Sequence, residues 1–583
     1  MFVKITTSGP RQYVKLVEAY RDASGVSRQK VIATLGRLED IQAGETDALV
    51  NGLLRVTGRP TLEEGTGEID FTSARSFGDT WMLTALWDEL GFSDAFRRIL
   101  RPRRQFDAEA LLRVMVFNRL CDPKSKLGIH RWLQGAIVPG VDPESVTHSH
   151  LLRTMDTLVE CSDSLESAMA GLLRPLIDQT LSVVFYDLTT ISAEGHSTED
   201  ADLREYGLSK NGGVERQVML GVVQTADGLP IHHEVFAGNV AETTTLIPTI
   251  TKILKRYPIE RVVLVADRGL LSLDNLESLQ KMTAGDRPLE FILAVPARRY
   301  GEFDTLLEEY HAQHCVGATH EIVGELVWQG QRLIVAHDPE TATTQSELRD
   351  KRIEALEQDA ERWAGKLVEQ ETGRSYRGRK LSDAGVTARF YKAVTDAHLG
   401  HILKVALNTK DFEYDLDEKA LNRARMLDGK LLLVTNMPDH TPEEIVSRYK
   451  SLADIERGFR VLKSEIEIDP MFHRLPNRIR AHAMICFLAL VLYRVLRMRL
   501  KAKNSPYSPS RILEVVRGIQ YHQVKLHRKQ SATGLSTLTP EQKDLFVSMA
   551  NRFDPLLAIN FDPPQPQNHR LIFASDGSFH HPA

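Results

Sequence analysis

Cysteine is scarce: Cys121, Cys161, Cys315 and Cys486 are the only four in 583 residues, far apart and with no CxxC pair. That spacing excludes a disulfide framework and a zinc ribbon, and it fits a reducing cytosol. The opening MFVKITTSGPRQ lacks the apolar run of a secretory signal, so a cytoplasmic location is expected. Long greasy stretches are missing too. The longest, AMICFLALVLY from Ala483 to Tyr493, is about half of the roughly 20 residues that span a bilayer, and Arg494 and Arg497 follow at once. It reads as a buried core helix, with no membrane partner. No internal repeat is found. A net charge of −5 argues against a generic nucleic-acid coat.

What is present is ordinary globular material, 42% hydrophobic and 26% charged, in a chain too long for one core, so two to four domains are expected. The charge is uneven. Residues 447–530 hold 18 Lys/Arg against 6 Asp/Glu, and residues 97–131 hold 10 against 3. Either block is a solvated face or a phosphate-binding surface.

Along the chain, alternation around Gly and Pro predicts an N-terminal β-meander or hairpin within 1–45. A helical region over 46–180 follows, carrying the first basic block. Then the grammar changes. LSVVFYDLTTI (181–191) is a mostly apolar strand running into Asp187, and residues 216–238 read as a hairpin around Asp-Gly. RVVLVADRG is a short buried strand ending at Asp267, and EFILAVPA is another. The order β-β-β-α-β-α-β is compatible with an α/β, ribonuclease-H-like mixed sheet, split into 181–298 and 437–503. Between them, 299–436 is expected to be an inserted β-rich subdomain with a long helix, because a structureless loop of that size is implausible. Residues 504–583 are expected to be helical, ending in a Pro-rich tail.

The stretch YKSLADIERGFRVLK places Tyr449, Glu456 and Lys463 seven residues apart. On one continuous helix they share a face, beside an apolar stripe of Leu452, Ile455, Phe459 and Leu462. Asp187 and Asp267, each at the end of an apolar strand, together with Glu456 make a hard-oxygen set suited to paired Mg²⁺ ions. Lys463 and Arg460 then face a phosphate backbone, while Arg457 points further out. The bland readings are loop caps for the aspartates and i, i+4 pairs for the glutamate. GRSYRGRK (373–380) lacks the Gly-Lys-Ser/Thr ending of a phosphate loop, and the His pairs at 147–150, 232–233 and 580–581 have no partner at ligand spacing. Trp328 and Tyr300 are expected in the core.

VFYDLTT, VADRG and the Y-x6-E-x6-K pattern resemble the DDE-type insertion-sequence transposases, specifically the insertion-sequence family four group and its relatives, over roughly Ser182 to Leu500. The resemblance implies a catalytic and metal-binding triad of Asp187, Asp267 and Glu456, with two Mg²⁺ ions for which Mn²⁺ can substitute. It also implies DNA contacts by Tyr449, Lys463, Arg460 and Arg268. Double-stranded DNA, as terminal inverted repeats and target, is the implied partner, with a homodimer in the DNA complex and a prokaryotic, nucleoid-associated setting. One position departs from the pattern: Leu452 stands where relatives carry Arg, so that contact is absent or comes from Arg460 or Arg448. No Trp lies between Trp363 and Glu456, which leaves the base-flipping aromatic of some hairpin-forming relatives without a counterpart. A nuclease of the same fold that cuts without joining, and a non-catalytic DNA-binding descendant, remain as alternatives.

Overall fold

The computed structural model describes residues 1–59, 61, 69–100, 106–177, 182–195, 202–209, 212–257, 261–266, 273–372, 381–451, 453–526, 530–549, 572–573 and 579–580. The alternating N-terminal sequence forms β1 (Phe2–Ser8), β2 (Arg11–Arg21) and β3 (Ser27–Arg37), an antiparallel sheet in that order. Gly9, at φ 60, supplies the left-handed residue that a tight hairpin between β1 and β2 needs. A second three-stranded sheet was not legible in the sequence: β4 (Ile69–Ser76) pairs with a strand more than 440 residues further on, introduced below.

The central sheet has nine strands. Its middle is β5 (Ser182–Ser192), flanked by the antiparallel β7 (Val214–Thr225) and the parallel β9 (Val262–Ala266). The far edge of β7 pairs in tandem with the short β6 (Glu205–Leu208) and with β8 (Pro230–Ala237). After a two-residue hairpin, β10 (Thr283–Ala284) with β11 (Arg287–Pro288), comes β12 (Glu290–Ala294), parallel to β9. VVLVA in β9 is buried at every residue, as a strand with helices on both faces must be.

The segment expected as a β-rich insert divides differently. Its strands β13 (Ile322–Trp328) and β14 (Gln331–His337) extend the central sheet through β17 (Lys430–Thr435), so they belong to the main body. Between β14 and β17 the chain is mostly helical, with helices Pro339–Glu371, Asp383–Asp396 and Glu418–Leu427 around a core of its own built on Trp363 and Phe390. Among the described residues, the three-residue strands β15 (Leu403–Val405) and β16 (Tyr414–Leu416) interrupt them. The expected long helix is there as Pro339–Glu371, but the β-rich character is not: apolar spacing over 383–396 is helical. The insert is tied at its root: His337 pairs in register with Lys430, Asp338 N–H donates to Gly429 O at 3.0 Å, and Arg349 pairs with the buried Asp428. As expected, Tyr300 and Trp328 are buried, the latter against Phe303.

The helices after β4 share one apolar core with the central sheet. Pro476–Ala502 explains this. It is apolar nearly all round, long and greasy enough to cross a membrane by composition, yet 94% of its apolar window is buried inside the protein. A helix of that kind must be covered on all sides, and it packs on helices Ala108–Cys121 and His148–Glu160 and on β8. Trp87, at the end of helix Gly78–Glu89, stacks edge-on to Phe92, Phe96 and Phe117 and donates its indole N–H to Glu109 Oε1 at 2.9 Å. Glu109 also faces Arg113 at 3.4 Å and Arg97 at 3.5 Å. Helix Pro509–Arg517 leads into β18 (Gln520–Leu526), which pairs with β4 and with β19 (Gln530–Leu535).

Candidate functional site

Asp187 lies in the middle of β5 instead of at its end. The strand continues through Thr189, Thr190 and Ile191, each paired with β7, and among the described residues its pairing with the parallel β9 runs as far as Ala266, opposite Tyr186. Asp187 follows Tyr186, the last residue of that described pairing. It is buried at 8% exposure and accepts the Leu188 N–H at 2.7 Å. Asp267 and Arg268, which follow Ala266 in sequence, lie outside the described residues.

Glu456 belongs to helix Ala453–Ser464, which packs on β5, though its side chain lies outside what is described. Gly458 shows how close this helix comes to the sheet. A Cβ there would stand 2.6 Å from Gln224 Nε2 of β7 and 3.0 Å from Arg494 Nη2, so any larger residue would have to displace those side-chain ends. The apolar stripe is real where described, with Phe459 and Leu462 buried. The single helix carrying Tyr449, Glu456 and Lys463 is not. Tyr449 is half-buried in a separate helix, Pro442–Lys450, capped at Ser451, so seven-residue spacing does not put it on the glutamate's face.

The residues 178–492, more than half of the chain, match the family described as Transposase DDE domain, and residues 3–65 match the IS1634 family transposase, N-terminal domain. The chain belongs to the DDE transposase family. It is a DNA transposase, and enzymes with this domain generally depend on divalent metal. Neither match reaches the insertion-sequence family four group or the Tyr-Glu-Lys signature. No curated protein matches. Among solved structures, a piggyBac transposase synaptic complex with hairpin DNA aligns at 9% identity over 86% of this chain and 88% of that one, with a TM-score of 0.39.

Within the transposase, Lys463 stands 4.0 Å from the carboxylate of Asp469, and Arg460 is exposed. Asp469 in turn accepts the Ser192 N–H at 3.0 Å and the Ser192 hydroxyl, at the far end of β5 from Ser182. Met471 N–H donates to Ser192 O at 2.7 Å, so the segment after the Glu456 helix is sewn to the strand that carries Asp187. Arg119 reinforces it by donating to Ile466 O and Glu467 O, both at 3.4 Å. Sequence reasoning missed these links, which join residues 277 or more positions apart and carry no local signal. Among the described residues no three His, Cys, Asp or Glu side chains form a metal-binding group; of the expected triad only the Asp187 side chain lies among them.

Part of the first basic block is structural. Arg113, Arg119 and Lys126 are buried and Arg97 faces Glu109. In the second block, Arg478 pairs with Asp156, Arg499 with Glu89 and Arg517 with Asp79, while Arg494 is buried. Burial, then the charge of Arg119, pulls the Lys126 ammonium down to about 7. Its folded value is below its unfolded one, so the penalty is full below pH 7 and fades as pH rises toward the usual lysine range. Lys126→Met is expected to raise the heat-unfolding midpoint at pH 6.5, with the advantage shrinking toward pH 10; an equal gain at both pH values would refute the cause.

Proposed function

We propose that this transposase binds the terminal inverted repeats of its element, cleaves one phosphodiester at each end to free a 3′-OH, and directs that hydroxyl at target DNA. The observation that carries this reading is Asp187, buried on β5 beside its parallel neighbour β9, with the Glu456 helix packed on the same strand. An antiparallel β5-β7-β8 meander beside the parallel β9 and β12 supports the ribonuclease-H-like arrangement. The Tyr449, Glu456 and Lys463 spacing supports placement near the insertion-sequence family four group.

The donor set fits divalent cations, since Asp187, Asp267 and Glu456 offer only hard carboxylate oxygens. Two Mg²⁺ ions, or Mn²⁺, held there would activate the attacking oxygen and steady the leaving one. The chain's own contribution is placement. Leu188 N–H fixes one Asp187 oxygen, Gly458 lets the glutamate helix seat against the sheet, and Asp469 holds Lys463 beside the end of β5. Lys463 and Arg460, with Tyr449 and Arg268, are assigned to the DNA near the scissile phosphate. Two such chains pair the element's ends, on nucleoid DNA in a prokaryotic cytoplasm.

A labelled DNA end tests this. With Mg²⁺ the transposase is expected to nick it, and a pre-cleaved end with a free 3′-OH is expected to join a plasmid; chelation abolishes both. Cutting without joining would make the protein a nuclease, and DNA binding with neither step would make it a non-catalytic descendant.

A further inference from the structure

Part of each basic block is consumed internally, and the N-terminal sheet offers a separate surface for duplex DNA. Residues 1–37 hold seven Lys/Arg against two Asp/Glu. Residues opposite each other in an antiparallel pair point to the same face, and alternate residues along a strand share it. The register pairs Lys4 with Lys15, Ser8 with Arg11 and Tyr13 with Arg37, which puts these four cations on one face, and Arg21 follows on the same side of β2. No acid lies on that face. Glu18 falls on the other, paired with Lys30, and Asp22 is taken up by Arg28.

Lys4, Arg11, Arg21 and Arg37 are exposed and Lys15 is half-buried, ringing a buried Val17. The first eight residues of β3 are exposed, so the chain itself does not cover that strand. Helix Leu38–Gln42 packs on β2 and β3 from the opposite side, where Ile41 meets Gly36, the register partner of Val14. Eleven residues of β2 extend about 36 Å, close to one turn of duplex. Arg11 and Lys15 stand about 14 Å apart along it, matching a major groove about 12 Å wide.

We infer that the face of the β1-β2-β3 sheet bearing Lys4, Arg11, Lys15, Arg21 and Arg37 is a duplex-DNA docking surface, its cations on the phosphates bordering one groove. The inference rests on the proposed DNA chemistry for its partner but not on the catalytic triad.

The test compares two double variants of the full chain that remove equal charge, Lys4→Gln/Arg11→Gln on this face and Arg28→Gln/Lys30→Gln elsewhere on the sheet. Binding of a fluorescein-labelled duplex of about three helical turns is measured by anisotropy against salt concentration. The first pair is expected to weaken binding at least tenfold and flatten the log–log salt slope by about two units, one per lost phosphate contact, while the second changes neither. Equal effects from both pairs, or none from the first, would overturn the inference. So would self-association without DNA that the first pair abolishes, since the face would then bind a second copy. Asp187→Asn, run alongside, keeps full binding, so a loss of cleavage and a loss of docking are read separately.

Discussion

Asp187→Asn is expected to cut the rate of end cleavage by about three orders of magnitude while leaving DNA affinity and heat stability near those of the parent. The substitution keeps the size of the side chain and keeps an oxygen for the Leu188 N–H, so the buried position on β5 is not disturbed. What it removes is negative charge at the one triad position whose side chain lies among the described residues. Metal-assisted charge stabilisation at phosphorus is worth several kcal/mol, and each 1.4 kcal/mol is a factor of ten. Single-turnover cleavage of a labelled end in Mg²⁺ reads the effect. A rate within about tenfold of the parent would remove Asp187 from the chemistry, whatever the family resemblance.

The largest stability effect is expected far from the site, at Glu109. Its carboxylate accepts from Trp87 and faces Arg113 and Arg97, and Glu109 and Arg113 are almost wholly buried. Glu109→Ala strands a guanidinium and an indole N–H without their acceptor, and losing one partner of a buried pair costs about 3–5 kcal/mol. Glu109→Gln keeps an acceptor for Trp87 and should lose less. Heat unfolding followed by tryptophan fluorescence ranks parent, Gln and Ala in that order; an Ala variant as stable as the parent would show the network to be idle.

The parts of this architecture that could be read from the sequence are those with short-range causes. β5, β9 and β12 announce themselves as apolar runs, and β1 to β3 by alternation. Elements defined by distant partners were invisible: β4 pairs with β18, and Asp469 with Ser192. Charge counts misled for the same reason, because Arg113, Arg119 and Lys126 look like a phosphate patch until the fold buries them. Seven-residue spacing placed Lys463 correctly on the glutamate's helix but assumed a continuity that the cap at Ser451 breaks.

The root of the insert carries a different lesson. Its chain leaves through β14 and returns through β17, which are hydrogen-bonded neighbours running in opposite directions, with His337 opposite Lys430. Strands so arranged lie about 5 Å apart and can be closed by a two-residue turn, so the residues between Asp338 and Gly429 leave and re-enter the central sheet at one place, with Arg423 paired to Asp304 and Leu427 packed on the main core besides. A truncated protein with Asn-Gly in place of residues 339–428 should retain the central sheet, which its far-UV circular dichroism would show.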